Sequence, residues 1–496
     1  MSLRFQRPLQ QLLPVLLLAG LLGLSTSLGA VWAAAASSVQ TVKYANAYLN
    51  GKPVQQVIFN LSGPASGVVL NEKTGCTTVT FPGSLGRGLK SGTQKFSYPN
   101  LEKIYYEQAN GKVQVFIHRR VPGSVQTRSE NNRVVINIPK EYTNVLKRSE
   151  VVPGVAHTKL MQSSTRGPLL INILEVDPNS PNIEIFPALA SGKMGNKDRV
   201  KNIVDQRGGI AGINASFFKQ DKGIPLGTII IGSELIAGPL FNRVALGITP
   251  DNRVELNRVG LFGHVAYGPD KTKQRIAINN INQPRVKLDQ SVLYTSRWGS
   301  HAPDVPKGGY QVQMIGSRVT AISQTSPLEI PKNGYVLSGP GSPGMNELAK
   351  LNPFQKVDVH FYTLPDWSGM KHAVSGGPYL VRNGQVYVDM REQSFGSLGA
   401  HEPRSAAGVT KDGKLLLVTV DGRQKHVSVG VTLHEMAQLM KSLGALHAMN
   451  LDGGSSTQMV VSGELVNSPS VSQGAAVSSC LVIRNSNVST AYRAKN

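Results

Sequence analysis

Hydrophobic and polar positions alternate in short runs over the first part of the chain. Residues 54–61, 77–81, 113–118 and 133–139 each alternate or run apolar, with turn residues between them. In the last run Val134, Ile136 and Ile138 share one face and Val135 and Asn137 the other, which is the period of a half-buried strand. Residues 39–139 therefore predict a small all-β sandwich of about a hundred residues. The polar stretch 140–150 predicts a linker. From residue 151 the pattern changes to strands and loops with a few helices, an α+β domain of mixed sheets over residues 151–486, followed by a tail at 487–496.

Two helices stand out in that second region. Val200, Ile203 and Val204 mark one face of a short helix over 199–206, ended by Gly208-Gly209. The best helix runs from 432 to 444. Thr432 and Glu435 form a capping box, Leu433, Met436, Ala437 and Met440 recur at helical spacing, and Gly444 is a suitable stop. Residues 210–218 read as a buried strand and turn. The apolar segment 448–451 delivers Asp452 onto Gly453-Gly454, and the run 415–420 delivers Asp421 onto Gly422-Arg423. Carboxylates just beyond strand ends, followed by glycine, are a common way to present active-site groups. Asp412-Gly413, by contrast, reads as a hairpin turn.

Composition narrows the class. The chain has 496 residues, 40% of them hydrophobic and 17% charged, which fits a folded protein of more than one domain. Its 51 glycines and 29 prolines favour turns and short strands. A formal net charge of +22 implies an affinity for polyanions. The charges are scattered, and no zinc finger, basic zipper or RNP-like motif is present, so nucleic acid is not the expected partner. Arg4 and Arg7, the apolar run 12–24 and Ala33-Ala34-Ala35-Ala36 have the order of a secretory signal peptide over residues 1–36. An uncleaved anchor is the alternative for that segment. Cys76 and Cys480, the only two cysteines, read as two inert thiols or as one disulfide.

Several familiar signatures fail. His434-Glu435 lacks the second histidine of a zincin, residues 83–91 lack the lysine position of a phosphate loop, and no G-x-S-x-G elbow occurs. His401-Glu402 and His426 are too few for a metal site, so neither metal nor cofactor is expected.

Five polar clusters remain: Asn214-Ala215-Ser216-Phe217-Phe218, Ser375-Gly376-Gly377-Pro378-Tyr379-Leu380, Arg404-Ser405-Ala406-Ala407-Gly408, Asp421-Gly422-Arg423, and Asn450 through Ser456. Together, and in this order, they resemble the phosphodiester glycosidase family, the exopolysaccharide-biosynthesis and "uncovering enzyme" group. Val466-Asn467-Ser468-Pro469-Ser470 is similar to that family's closing segment. Where relatives carry an acidic–arginine pair soon after it, this chain has Gln473-Gly474-Ala475-Ala476. The segments 54–64, 113–120 and 133–139 resemble the AMIN-type domain of bacterial envelope proteins, with a generic β accessory domain as the equal alternative.

The first resemblance implies release of a sugar from a sugar-1-phosphodiester. Breaking an anomeric C–O bond passes through an oxocarbenium-like state and calls for carboxylates. Asp452 and Asp421 are the candidates, although a phosphodiester leaves readily and one carboxylate can suffice. An anionic leaving group suits a guanidinium fork, for which Arg404 and Arg423 are the candidates. Asn214 and Asn450 are expected to orient carboxylates or bind sugar hydroxyls. Gly376, Gly377, Gly453 and Gly454 are expected to let backbone amides approach ligand oxygens. Ser455 and Ser456 either bind ligand or close their own turn. The expected partner is an anionic or phosphodiester-containing glycan, with peptidoglycan a further partner through the N-terminal domain. The competing reading is a non-catalytic wall or polysaccharide-binding protein with the same fold.

Overall fold

The computed structural model describes residues 37–65, 67–73, 75–120, 125–340, 347–396 and 399–487. The signal-peptide segment 1–36 and nearly all of the 487–496 tail lie outside these residues.

The N-terminal part consists of two five-stranded sheets. One has the order Ser84–Leu85, Ser38–Leu49, Lys52–Leu61, Arg133–Pro139, Gln126–Glu130. The other has the order Val69–Lys73, Cys76–Pro82, Lys112–Arg119, Leu101–Ala109, Gly92–Lys95. Their inward residues, among them Val57, Phe59, Phe81, Ile104, Ile117, Val134, Ile136 and Ile138, form one core. Asn50-Gly51 and Asn110-Gly111 take positive φ at both positions, the turn geometry that matches strand twist in two-residue hairpins. Arg133–Pro139 departs from the half-buried expectation. Val135 and Asn137 are buried too, and Gln56 Nε2 donates to Asn137 on that second face.

The stretch expected as a linker is mostly strand. Thr143–Val152 pairs antiparallel with Val155–Ser163 at one edge of an eight-stranded sheet. Its residues are largely exposed, so an edge strand wetted on both faces carries no apolar alternation for the sequence to show.

That sheet has the order Thr143–Val152, Val155–Ser163, Pro168–Val176, Leu415–Val420, Arg404–Thr410, Ala445–Asn450, Tyr379–Arg382, Gln385–Val386. Helix α2 (Leu433–Ser442) covers one face through Leu433, Met436, Ala437 and Met440. Thr432 Oγ1 accepts from the Glu435 amide and the Glu435 carboxylate accepts from the Thr432 amide, closing the capping box. The other face packs, through Leu174, Leu417, Met449 and Leu451, on a second sheet. The second sheet has the order Ile183–Leu189, Ser479–Asn485, Ala211–Asn214, Met459–Val461, Glu464–Leu465. Helix α1 (Val200–Gln206) covers its far side through Val200, Ile203 and Val204. The result is a helix–sheet–sheet–helix stack, and the segment 224–375 adds three further sheets, two of them antiparallel and one mixed, in which Asn280–Ile281 runs parallel to Val292–Tyr294. Two α-helices among the described residues make the chain mostly β, with less helix than the α+β expectation. Cys76 and Cys480 are free thiols, so the disulfide alternative is overturned. No helix among the described residues is long and apolar enough to cross a membrane.

Candidate active site

Arg404–Thr410 runs between Leu415–Val420 and Ala445–Asn450, antiparallel to both, with Arg404 opposite Val420 and Ala406 opposite Asn450. The start of the middle strand and the ends of its neighbours therefore fall at one edge of the large sheet. Antiparallel register, which sequence spacing does not reveal, is what gathers Arg404, Asp421 and Asp452. The smaller sheet ends at the same place. The Asp452 amide donates to the Ala215 carbonyl at 2.9 Å, and Asn214 Nδ2 donates to the Asp452 carbonyl at 2.6 Å.

Asp452 is partly exposed. Its Oδ1 accepts from the Gly453 amide at 3.1 Å, and the Ser456 hydroxyl donates to the carboxyl. Burial outweighs both bonds and pushes its pKa up to about 7. The residue as a whole keeps some exposure, but protein surrounds its carboxyl, and the shift follows that burial.

Asp421, the other expected catalytic carboxylate, is closed off. It is 1% exposed; Oδ1 accepts from Asn467 Nδ2 and Oδ2 from the Ser468 amide, each at 2.7 Å. Burial pushes its pKa up to about 6. Asn467 Nδ2 also donates to the Thr457 carbonyl, so Asp421 anchors the 466–468 segment against the turn after Asp452. Arg404 is buried as well, donating from Nε to the Val431 carbonyl at 3.2 Å and from Nη2 to the Ala400 carbonyl at 2.9 Å. Its guanidinium ties two loops to the sheet edge, and burial lowers its pKa.

Asn214 and Asn450 are fully buried. Asn214 Oδ1 accepts from Ser405 Oγ at 2.7 Å and from the Gln458 amide at 3.1 Å. Asn450 Nδ2 donates to the Leu451 and Gly377 carbonyls. The four glycine amides are also engaged: Gly376 by Val244, Gly377 by Asn450, Gly453 by Asp452 Oδ1 and Gly454 by Pro403. These glycines permit close packing. A Cβ on Gly376 would lie 2.5 Å from the Asn450 carbonyl oxygen.

Arg423 is the expected site arginine that reaches the surface. Its Nε donates to Glu402, and its Nη2 lies 3.2 Å from where a Cβ on Gly454 would stand. Gly454–Ser456 is a single 3-10 turn. Within it Ser455 is partly exposed and its carbonyl accepts from the Ala475 amide at 3.3 Å, while Ser456 is nearly buried. The Gln473 to Ala476 segment thus packs directly on the site. Gln458 Nε2 holds the Ala475 carbonyl at 2.7 Å, and Arg199 Nη1 donates to Gln473 Oε1 at 2.8 Å. Ser405, Gln458, Asn467 and Glu402 are the residues that sequence reasoning passed over as site components. Ser405 and Asn467 lie within recognised motifs and Glu402 and Gln458 two residues outside them, but nothing in their type marks the role. Among the described residues no group of three or more His, Cys, Asp or Glu side chains is placed to hold a metal ion.

Residues 308–484 match the family model described as phosphodiester glycosidase. The same chain is 34% identical over 224 residues to an uncharacterised protein of Rickettsia conorii, covering 43% of this chain and 75% of that one. The chain belongs to the phosphodiester glycosidase family. The matched region holds every expected site residue except Asn214. It is also 32% identical over 108 residues to the mouse N-acetylglucosamine-1-phosphodiester alpha-N-acetylglucosaminidase, covering 20% of each chain, so it spans about a fifth of that relative's length. A solved structure of a hypothetical protein from Synechocystis has the same fold, with a TM-score of 0.64 at 22% identity, over 90% of this chain and 80% of that one.

Proposed function

We propose that this protein hydrolyses a sugar-1-phosphodiester, with Asp452 as the working carboxylate. The observation that carries this reading is Asp452 itself, a partly exposed residue at the sheet edge whose carboxyl pKa burial pushes up to about 7. A base poised near neutrality is well matched to proton transfer there. In the reaction the anomeric C1–O bond breaks and the phosphate leaves with the electron pair. Water oxygen bonds to C1 as Asp452 takes its proton, or Asp452 first bonds C1 and water then displaces it. Either route uses the ionised carboxylate, and the products are a free sugar and a phosphomonoester.

N-acetylglucosamine is the first sugar to test, because the mouse relative's name specifies it. The setting is the cell envelope or an extracellular polysaccharide, on the strength of the signal-peptide pattern in residues 1–36. The N-terminal sheets would then carry the AMIN-like role of holding the protein to wall material such as peptidoglycan. Sugar release from a synthetic N-acetylglucosamine-1-phosphodiester by purified protein tests the activity. The Gln473 to Ala476 departure favours a second reading, a glycan-binding protein without turnover. Glycan binding by wild type and Asp452→Asn alike, with neither releasing sugar, is the outcome that selects it.

A further inference from the structure

Arg243 lies outside the five motifs. It is 8% exposed, and its Nε donates to the Gln393 carbonyl over a long 3.4 Å. The rest of its surroundings are aromatic: Cζ stands 3.9 Å from the Phe395 ring centroid, 5.2 Å from Phe241 and 5.7 Å from Phe217. Burial lowers its pKa to about 10 and no neighbouring carboxylate opposes that shift, so the group stays protonated at neutral pH without a counter-charge. Ring faces attract a guanidinium, but by less than burying an unpaired cation costs. An anion is what the arrangement lacks.

The backbone supports a built site. Phe241 and Asn242 have φ of 55° and 50°, and the Arg243 amide closes the turn onto the Leu240 carbonyl at 3.2 Å. A left-handed aromatic residue is uncommon, and such strain persists where the surrounding structure holds it for a purpose. The turn sits against the segments that carry Asp452. Val244 accepts from the Gly376 amide, and a Cβ on Gly377 would lie 2.8 Å from the Phe395 ring. Phe217 follows Ala215, the residue whose carbonyl holds the Asp452 amide. Arg404 donates to two main-chain carbonyls and Arg423 pairs with Glu402, whereas the Arg243 guanidinium has, among the described residues, the one long bond to Gln393.

We propose that Arg243, caged by Phe217, Phe241 and Phe395, is the residue that binds the substrate's phosphate. The kinetic part of the test rests on the hydrolytic reading of Asp452; the binding part does not.

The full chain is titrated calorimetrically with methyl phosphate, and in parallel assayed on an N-acetylglucosamine-1-phosphodiester and on a neutral aryl α-N-acetylglucosaminide. Arg243→Met is expected to weaken methyl phosphate binding and raise KM for the phosphodiester, each by roughly ten- to a hundredfold. The aryl glycoside should be turned over as by wild type. Arg243→Lys, which keeps the charge but loses the planar fork, should fall between and guards against misfolding of the methionine variant. Wild type that does not bind methyl phosphate, or an Arg243→Lys variant that is folded and binds it as wild type does, overturns the proposal. Equal loss on both substrates also overturns it. If wild type turns over neither substrate, the hydrolytic reading fails and the binding arm alone decides on Arg243.

Discussion

Asn214 Nδ2 donates to the main-chain carbonyl of Asp452 at 2.6 Å, joining residues 238 positions apart. The same side chain accepts from Ser405 and from the Gln458 amide. One buried asparagine thus links the end of a strand in the small sheet to three segments around the candidate carboxylate, and fixes where that carboxylate stands relative to the sheet edge.

Replacing this clamp should cost both stability and rate. Asn214→Ala leaves three buried polar groups without partners and is expected to destabilise the fold by about 2–4 kcal/mol. In the surviving folded protein kcat should fall more than KM rises, because Asp452 is misplaced rather than removed. Urea unfolding and steady-state kinetics on one preparation check both halves.

Asp452 makes stability depend on pH. Its folded pKa of about 7 stands above the ordinary 3.8 of an unfolded chain. Between these values the folded protein keeps a proton that the unfolded chain has released, so stability falls as pH rises from 4 to 7, and the full cost stands above pH 7. Asp452→Asn should therefore be more stable than wild type by on the order of 4 kcal/mol at pH 8 and indistinguishable near pH 4. Unfolding curves at the two pH values decide; a variant no more stable at pH 8 contradicts the buried setting.

Asp421 is predicted to anchor, not to react. Asp421→Ala strands Asn467 Nδ2 and the Ser468 amide and should cost about 2–4 kcal/mol. Asp421→Asn, which keeps the size and one acceptor, should cost less and retain turnover. A well-folded Asp421→Asn that is as inactive as Asp452→Asn would restore the catalytic role that its sequence position suggests.

Gly376 tests the packing account of the glycines. A Cβ there meets the Asn450 carbonyl at 2.5 Å, Leu451 Cδ2 at 3.2 Å and Met449 Sδ at 3.2 Å. Gly376→Ala is expected to lose about 2 kcal/mol or more through overpacking. Thermal unfolding that matches wild type would show that this glycine is kept for another reason.

Much of the scaffold was legible in the sequence. Leu415–Val420 and Arg133–Pro139 appear with the expected bounds, and the Thr432–Glu435 box caps α2, because local periodicity and capping chemistry are short-range. Asp412-Gly413 is the hairpin turn expected, with Gly413 at φ 86°. The exposed edge strand Thr143–Val152 was not legible, since it has no apolar face to reveal. The motifs brought these residues to notice but not their setting. Asp421, Arg404, Asn214 and Asn450 are buried and hydrogen-bonded to neighbouring segments, and these are properties of register between distant strands. Arg243 carried no motif at all. Its signal is an unpaired charge among rings, visible only once Phe217, Phe241 and Phe395 are brought around it.

The most direct measurement is the pH dependence of kcat/KM for sugar release from an N-acetylglucosamine-1-phosphodiester, with wild type and Asp452→Asn side by side. Ionised Asp452 as the working group predicts a wild-type rate that rises with pH through about 7 to a plateau, and a folded asparagine variant at least a thousandfold slower, on the order of other single-group losses in catalysis. A folded Asp452→Asn that releases sugar at the wild-type rate, or a wild-type rate that falls as pH rises through 7, would contradict the account.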